Sequence, residues 1–318
     1  MVQSEEQSER QKWLHPSHIL VATDLTDADT LLPLAMAQAR IHSAQLTLVH
    51  AQPNAAPRSL DVQAVIPADG ARQSFLAAEK IMEGLVARVR EHEIVCQGVV
   101  RQGTPVADLL LEEIRLTGAG RLIVGTHGRG LLGQLVLGSV AKTLLHNLAI
   151  PIFAVGPKVL FRDSMTSPRR ILCPVALNEH NLQDVMLVYS ICQYYGAELI
   201  LQHVLTPEYD DKSRHPSPDI ESVRKKLVAL LAEAGMLEQS QRTHVSCGDL
   251  VTEALDSASR FDVDWIILGS SERRRLQLLA EDPVYRIIAG APVPVLTLPH
   301  SADAVRGGSN MDTASVAG

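Results

Sequence analysis

The chain has 318 residues, of which 46% are hydrophobic and 20% are charged, and its formal net charge is −7. This length suits two domains, each large enough to bury its own core. A mildly acidic chain lacks the basic surface that nucleic-acid binding requires, so we expect no nucleic-acid partner. No run approaches the roughly 18 consecutive apolar residues of a membrane span, so we expect no membrane association.

The four cysteines, Cys96, Cys173, Cys192 and Cys247, form no CxxC pair. They match neither a zinc-site pattern nor a disulfide framework, and reduced thiols are typical of the cytosol. The N-terminus is polar and has no apolar core, so it does not read as a signal peptide. We therefore predict a cytoplasmic protein with no metal ligands of its own.

The predicted elements of the first half begin with the β-rich run ILVAT from Ile19. It is followed by an amphipathic helix, a second strand (LTLVHA) and a helix over residues 71–93. In this last helix the apolar residues recur at helical spacing: Phe75, Ala78, Ile81, Met82, Leu85 and Val86. After a third strand, the order continues with helix VADLLLEEIRLTG, strand RLIVGT, helix AKTLLHNL and strand PIFAVGP.

The second half repeats this order of elements. Its strands ILCPV, LILQHV, DWIILGS and PVLTLP correspond to the strands of the first half, and helix LVTEALDSASRF follows Gly248-Asp249 as VADLLLEEIRLTG follows Gly103-Thr104-Pro105. Apolar strands that alternate with amphipathic helices predict a parallel sheet covered on both faces. The fold class is therefore α/β, with two tandem open five-stranded parallel sheets and helices on both faces.

Domain boundaries follow from this repeat and from composition. The first domain is predicted over residues 17–157 and the second over residues 169–300, with a linker over residues 158–168. Residues 1–16 are expected to be a flexible N-terminus, and the small, polar residues 301–318 a disordered tail.

A glycine-rich loop follows strand RLIVGT in the first half. Gly125, Gly128 and Gly138-Ser139 have the spacing Gly, two residues, Gly, nine residues, Gly-Ser, which is neither GxGxxG nor GxxxxGK[ST]. The loop leaves the carboxyl end of a parallel strand, where open sheets bind ligands. Glycines let backbone N–H groups approach an anion, and the helix that begins near Ser139 favours phosphate at its N-terminus. Ser139 can cap that helix or donate its hydroxyl to a phosphate.

This pattern resembles the nucleotide-binding signature G-2x-G-9x-G-[S/T] of the universal stress protein family. The first strand ends in Ala22-Thr23-Asp24, where ATP-binding members carry an Asp near the adenosine. The second ends in His50-Ala51, where the family's backbone meets the adenine edge. The resemblance extends from His18 to His300 and implies a Rossmann-like, adenine nucleotide alpha-hydrolase-like fold for each half. It also implies that the final strands of two domains pair, within one chain or between the chains of a homodimer.

By this resemblance, the first half binds ATP or another adenine nucleotide, with Mg²⁺ as a companion. The implied binding residues are Ala22, Thr23, Asp24, Ala51, Val124, Gly125, Gly128, Arg129, Gly138, Ser139 and Val140. No residue is assigned a catalytic role, and loop residue His127 is expected to face solvent. Asp24 is expected either to bind the adenosine or to act as an acid at a helix start, a role that Asp27 and Asp29 could also fill. Arg129 is expected either to neutralise phosphate or to be solvated.

The second half departs from the family pattern. Asp24 aligns with Ala176, Gly128 with Glu272, and the Gly-Ser pair lies near Glu281-Asp282. These acids stand where phosphate would lie and would repel it. We therefore predict a degenerate second site, in a domain that completes a dimer-like architecture or offers a surface to a partner protein.

Three functions remain open. The first is a cytosolic stress-response regulatory protein that binds an adenine nucleotide. The second is a slow ATP hydrolase, although ATDLTD replaces the SGGxDS-type loop of related ATP pyrophosphatases and no general base is evident. The third is a nucleotide-free dimeric scaffold that recruits a protein partner. His50 and His203 are expected to be structural histidines at strand ends.

Overall fold

The computed structural model describes residues 11–54, 68–126, 138–177, 181–205, 220–233, 235–236, 241–269 and 283–299. Residues 1–10 and 301–318, predicted to be flexible or disordered, lie outside these ranges. Residues 11–16 were also predicted to be flexible, but residues 11–14 are helical and Trp13 is buried in the core, because its ring packs with the apolar residues of the first domain.

The first half alternates strands and helices as predicted. Its strands are β1 (His18–Ala22), β2 (Gln45–Gln52), β3 (Cys96–Gln102), β4 (Arg121–Gly125) and β5 (Ile152–Val155). Its helices are α1 (Ala28–His42), α2 (Ala68–Arg90), α3 (Val106–Thr117) and α4 (Ser139–Asn147). Every residue of β1 and β5 is buried, as helices on both faces of a parallel sheet require.

Helix α2 begins and ends three residues earlier than the prediction over residues 71–93. Ile81 was expected on its apolar face but is 45% exposed, because the stripe that packs on the sheet is formed by Ala78, Met82, Val86 and Val89. Ile81 lies one residue, or about 100° of helical rotation, away from this stripe.

The second half repeats the same architecture. Its strands are β6 (Arg170–Pro174), β7 (Glu198–Leu205), β8 (Gln241–Cys247), β9 (Trp265–Leu268) and β10 (Val295–Thr297). Its helices are α5 (Asn181–Tyr195), α6 (Ile220–Glu233), α7 (Leu250–Arg260) and α8 (Pro283–Gly290). The segment before β6 packs on this half, since Met165 is buried and its carbonyl accepts a 2.8 Å hydrogen bond from Trp265 Nε1.

All ten strands belong to one sheet, in the order β3-β2-β1-β4-β5-β10-β9-β6-β7-β8. Within each half all pairings are parallel, which confirms the predicted fold class. The halves join where β5 and β10 pair antiparallel, with Phe153 opposite Leu296. The Phe153 ring also packs edge-on against Trp265 at 4.9 Å, so the two cores are continuous.

The junction places the expected pairing of final strands within one chain. Strand β5 lies between β4 and β10, and β10 lies between β5 and β9, so neither has an open edge. A homodimer through these strands, as the sequence suggested, is therefore incompatible with this sheet. The physical reason is that each domain already satisfies the other's backbone hydrogen bonds. Among the strands that the structure describes, β3 and β8 form the open edges of the sheet.

A buried polar cluster also joins the halves, at the amino ends of the strands. Tyr195 at the end of α5 donates a 2.8 Å hydrogen bond to Gln38 of α1, and its hydroxyl lies 2.9 Å from His42 Nε2. Arg121 is 3% exposed and donates to Gln38 and to the carbonyl of Trp13. Burial, with the nearby Arg121 charge, lowers the pKa of His42 to about 3. His42 is therefore neutral at physiological pH, and the cluster fixes the two domains relative to each other.

Candidate functional site

A cavity of about 260 Å³ opens at the carboxyl ends of β1, β2 and β4, and we call it the cleft. The chain leaves β1 towards β2 on one side and leaves β4 towards β5 on the other, so the cleft lies at the point where the strand order reverses. Ligands bind open α/β sheets at such a point.

The structure brings most of the predicted site residues together here. The cleft is lined by the predicted residues Ala22, Thr23, Asp24, Ala51, Val124, Gly125, Gly138, Ser139 and Val140. The predicted residues Gly128 and Arg129, with the neighbouring His127, lie outside the described residues.

Helix α4 points its N-terminus at the cleft. Gly138 is its N-cap residue, and the first helical hydrogen bond runs from the Lys142 N–H to the Gly138 carbonyl at 3.0 Å. The amides of Ser139, Val140 and Ala141 precede this bond and have no acceptor within the helix. The first turn contains no acidic residue, so no side chain there offsets the positive end of the helix dipole. Ser139 is the first helical residue and does not cap the helix, which corrects one of its two expected roles.

The opposite side of α4 contacts the second domain. The ammonium group of Lys142 lies 5.2 Å from the centre of the Tyr285 ring on α8. The ring of His146 packs edge-on against the same tyrosine at 5.9 Å. The second domain thus packs against the helix whose first turn lines the cleft.

Asp24 stabilises the turn that leads from β1 to α1. Its Oδ1 accepts hydrogen bonds from the Thr26 amide at 2.8 Å, the Thr26 hydroxyl at 2.6 Å and the Asp27 amide at 3.1 Å. Asp24 therefore stabilises the turn before the helix but does not cap it, because the N-cap residue of α1 is Asp27. The same residue lies on the wall of the cleft, so the local role and contact with a ligand are compatible.

Asp27 also lines the cleft, and the sequence offered no signal for it beyond an acid near a helix start. It occupies the N-cap position of α1 but makes no side-chain capping bond there. Its Oδ1 instead accepts a 2.5 Å hydrogen bond from the Thr23 hydroxyl. Burial raises the pKa of the Asp27 carboxyl to about 6, and the charge of Asp24 adds to this effect while the Thr23 hydrogen bond opposes it.

Gly125 is required because the Asp27 carboxylate packs on its Cα. A Cβ at this position would lie 2.1 Å from Asp27 Oδ2. Gly125 does not have a positive φ, so the close contact alone excludes a side chain.

Two histidines have the structural role that the sequence suggested. Nδ1 of His50 donates a 2.9 Å hydrogen bond to the carbonyl of Thr23, and Nδ1 of His203 donates a 2.8 Å bond to the carbonyl of Val175. Each histidine thus holds the backbone that follows the first strand of its domain. His50 additionally lines the cleft.

An apolar wall faces these polar groups. Val106 and Leu110 of α3, together with Val49 at the end of β2, line the cleft. Such a surface suits a flat heterocycle. Val106 and Leu110 escaped the sequence analysis because nothing in their helical pattern distinguishes a cleft wall from a core.

The second domain has no acidic residue at the position equivalent to Asp24. The Val175 amide donates to the Gln202 carbonyl at 2.7 Å, as the Thr23 amide donates to Val49 at 3.0 Å. Ala176 therefore occupies the place of Asp24. The acids that align with the glycine loop, Glu272, Glu281 and Asp282, lie outside the described residues.

In the part of the chain that the structure describes, no three His, Cys, Asp or Glu side chains converge as a metal site would require. In the same ranges, no helix has the length and apolar character needed to cross a membrane. Cys96, Cys173 and Cys192 are buried, and burial raises the pKa of Cys192 to about 12, so its thiolate is disfavoured.

The sequence model of the Universal stress protein family matches residues 16–156 and matches again over residues 168–299. The chain belongs to the universal stress protein family. The two halves of this tandem universal stress protein are thus two copies of the family's domain. No curated protein sequence matches the chain.

Solved structures share the whole tandem fold. A universal stress protein from Archaeoglobus fulgidus DSM 4304 has a TM-score of 0.66 and 14% identity, and the match covers 91% of this chain and 98% of that one. A putative universal stress protein from Pseudomonas aeruginosa UCBPP-PA14 has a TM-score of 0.62 and 16% identity, with 92% and 97% covered. At these identities, the similarity between this universal stress protein and the two solved structures concerns the fold only.

Proposed function

We propose that the first domain binds ATP or another adenine nucleotide, and that the tandem protein acts as a regulatory binding protein in a cytosolic stress response. One observation carries this proposal. Gly125, Gly138 and Ser139 of the glycine signature line the same cleft as Asp24 and Ala51, which belong to two other strand ends.

Each side of the cleft suits one part of the nucleotide. The apolar residues Val106 and Leu110 offer a surface for the adenine ring, whose edge can pair with the backbone at Ala51. Asp24 lies where the family resemblance puts the adenosine. The free amides at the start of α4 suit the phosphates, which would lie on the face of Gly125 that the Asp27 carboxylate leaves open.

The charge of the cleft supports Mg²⁺ as a companion of the nucleotide. Among the described residues that line the cleft, Asp24 and Asp27 are acidic and none is Lys or Arg. A divalent cation bound with the nucleotide would offset the charge of Asp24 and of the phosphates. Nucleotide binding can regulate a partner only if its affinity differs between two states of the protein. The proposed protein partner would bind one of these two states more tightly than the other.

The test replaces Gly138 by Asp, with Asn as the matched neutral control. Gly138 has φ −61° and ψ 149°, a conformation that favours both residues as N-caps, and a Cβ there would meet only the Thr126 carbonyl at 3.7 Å. Both variants should therefore fold. Gly138→Asp places a carboxylate at the proposed phosphate site, and repulsion of about 1–4 kcal/mol should weaken ATP binding at least about fivefold relative to Gly138→Asn.

Calorimetric titration with MgATP and chromatography of nucleotide released from the purified protein measure the outcome. We expect about one nucleotide per chain, because the second site is degenerate. Two per chain would contradict the degenerate assignment. Equal binding by the Asp and Asn variants would contradict the phosphate position. No binding by the wild-type protein would favour the scaffold, whereas phosphate release that Gly138→Asp abolishes would favour the slow hydrolase.

A further inference from the structure

Asp27 separates the cleft from a second, smaller cavity. This side cavity has a volume of about 180 Å³ and is lined by Asp27, Gly125, residues of the first turns of α1 and the chain after β5. The carboxylate is wedged between the Thr23 hydroxyl, 2.5 Å from Oδ1, and the Cα of Gly125 beneath Oδ2. It therefore lies under the glycine to which we assign the phosphates.

No described cation neutralises this carboxylate. None of the described residues that line the cleft or the side cavity is Lys or Arg. Lys142 of α4 lies over the Tyr285 ring, and Lys158 after β5 is exposed. Asp29 on the same helix is exposed and pairs with Arg88 at 2.7 Å.

The remaining polar groups around Asp27 are acidic or neutral. Asp24 in the preceding turn donates its amide to Asp27 Oδ1 at 3.2 Å, while its own carboxylate adds negative charge. His50 at the end of β2 donates to the Thr23 carbonyl. An anionic ligand over Gly125 would thus face a second negative charge at a half-buried place, where repulsion is stronger than in open solvent.

We propose that Asp27 links nucleotide binding to protonation: an adenine nucleotide whose phosphates lie over Gly125 binds the protein with the Asp27 carboxyl protonated. Binding then takes up one proton from solvent, and the ionised carboxylate disfavours the bound state. This inference rests on the proposed function. It adds that the same cleft is sensitive to pH near neutrality, because burial already raises the pKa of Asp27 to about 6 in the free protein.

The effect has a calculable size. If only the protonated form binds, the apparent affinity scales with the protonated fraction, which falls about 90-fold between pH 5 and pH 8 for a pKa of about 6. The nucleotide's own phosphate also titrates in this range, so the effect is read as a difference between variants. Asp27→Asn keeps an oxygen for the Thr23 hydroxyl and carries no charge at any pH.

The experiment measures MgATP affinity by calorimetry from pH 5 to pH 8 for the wild type, Asp27→Asn and the control Asp29→Asn. We expect Asp27→Asn to bind up to about 90-fold more tightly than the wild type at pH 8, with similar affinities at pH 5. Asp29→Asn should follow the wild type, since Asp29 is exposed. Equal pH profiles for the wild type and Asp27→Asn would overturn the proton linkage and leave nucleotide binding intact. Absence of binding at every pH would overturn both.

Thr23→Val gives an independent readout if Asp27→Asn fails to fold. Valine occupies the equivalent place in the second domain, Val175, and it removes the hydroxyl that stabilises the carboxylate. The midpoint of the pH profile should then move to higher pH. Calorimetric titrations of the wild type at pH 7, in two buffers with different ionisation enthalpies, give the number of protons taken up on binding. This number should exceed the change in protonation of the nucleotide itself by close to one. Zero additional uptake, or an unmoved midpoint, would contradict the proposal.

Discussion

Replacement of Gly125 by alanine tests the contact at the centre of the cleft. The new Cβ would lie 2.1 Å from Oδ2 and 3.1 Å from Cγ of Asp27, so the carboxylate must move. Its movement sacrifices the hydrogen bonds that Oδ1 accepts from the Thr23 hydroxyl and the Asp24 amide. Overpacking costs about 1–3 kcal/mol and each of the two lost bonds about 1 kcal/mol, so we expect a total loss of about 3–5 kcal/mol.

Two further variants make this prediction specific. In Gly125→Ala combined with Asp27→Ala the clashing carboxylate is absent, so the double variant should recover about 1–3 kcal/mol relative to the sum of the single changes. Gly84→Ala is the control, because it lies in helix α2 with nothing within 4 Å of its Cβ. It should stabilise the protein by about 0.5–1 kcal/mol.

The assay is urea unfolding at pH 7, monitored by circular dichroism. Midpoints are compared between variants whose unfolding free energy has the same dependence on urea concentration. Strict additivity of the Gly125 and Asp27 changes would refute the contact. A destabilisation by Gly84→Ala as large as that by Gly125→Ala would show that backbone effects, and not the carboxylate, dominate.

Three other outcomes follow from the same structure. The pKa of Asp27 is raised from 3.8 to about 6 in the folded state, so the folded protein binds more protons than the unfolded chain. The free energy of unfolding should therefore fall by up to about 3 kcal/mol as pH rises from 4 to above 6. Asp27→Asn should lose this pH dependence in urea titrations at several pH values. Tyr285→Ala should weaken MgATP binding several-fold by calorimetry, since it removes the aromatic support of Lys142, and Tyr285→Phe should retain it. Tyr195→Phe should cost about 1–2 kcal/mol in thermal unfolding, because the hydrogen bond to buried Gln38 is lost.

The sequence predicts the scaffold and one side of the cleft. Alternating strands and helices fix the fold class, and the glycine spacing identifies Gly125, Gly138 and Ser139, because loops between strands and helices are local features. The family resemblance adds Asp24 and Ala51, which lie nearby because the carboxyl ends of neighbouring parallel strands meet at one edge of the sheet.

The rest depends on contacts that no local pattern encodes. In the sequence, Asp24, Asp27 and Asp29 are equally plausible acids at a helix start. The structure gives each carboxylate a different role: Asp24 stabilises the turn, Asp27 lines the cleft, and Asp29 forms an exposed ion pair. Tyr195 meets Gln38 across 157 residues of chain. The pairing of β5 with β10 within one chain, and hence the loss of an open edge for a homodimer, depends on the path of the linker.

The antiparallel junction between β5 and β10 has an evolutionary consequence. In a symmetric homodimer both subunits are translated from one gene, so each substitution appears in both binding sites at once. In the tandem chain the two copies mutate separately, and the tether keeps them paired at any dilution. The two copies can therefore differ at equivalent positions, as Asp24 and Ala176 do. Fusion thus allows the proposed nucleotide-binding domain and its twin to diverge in role while they stay paired.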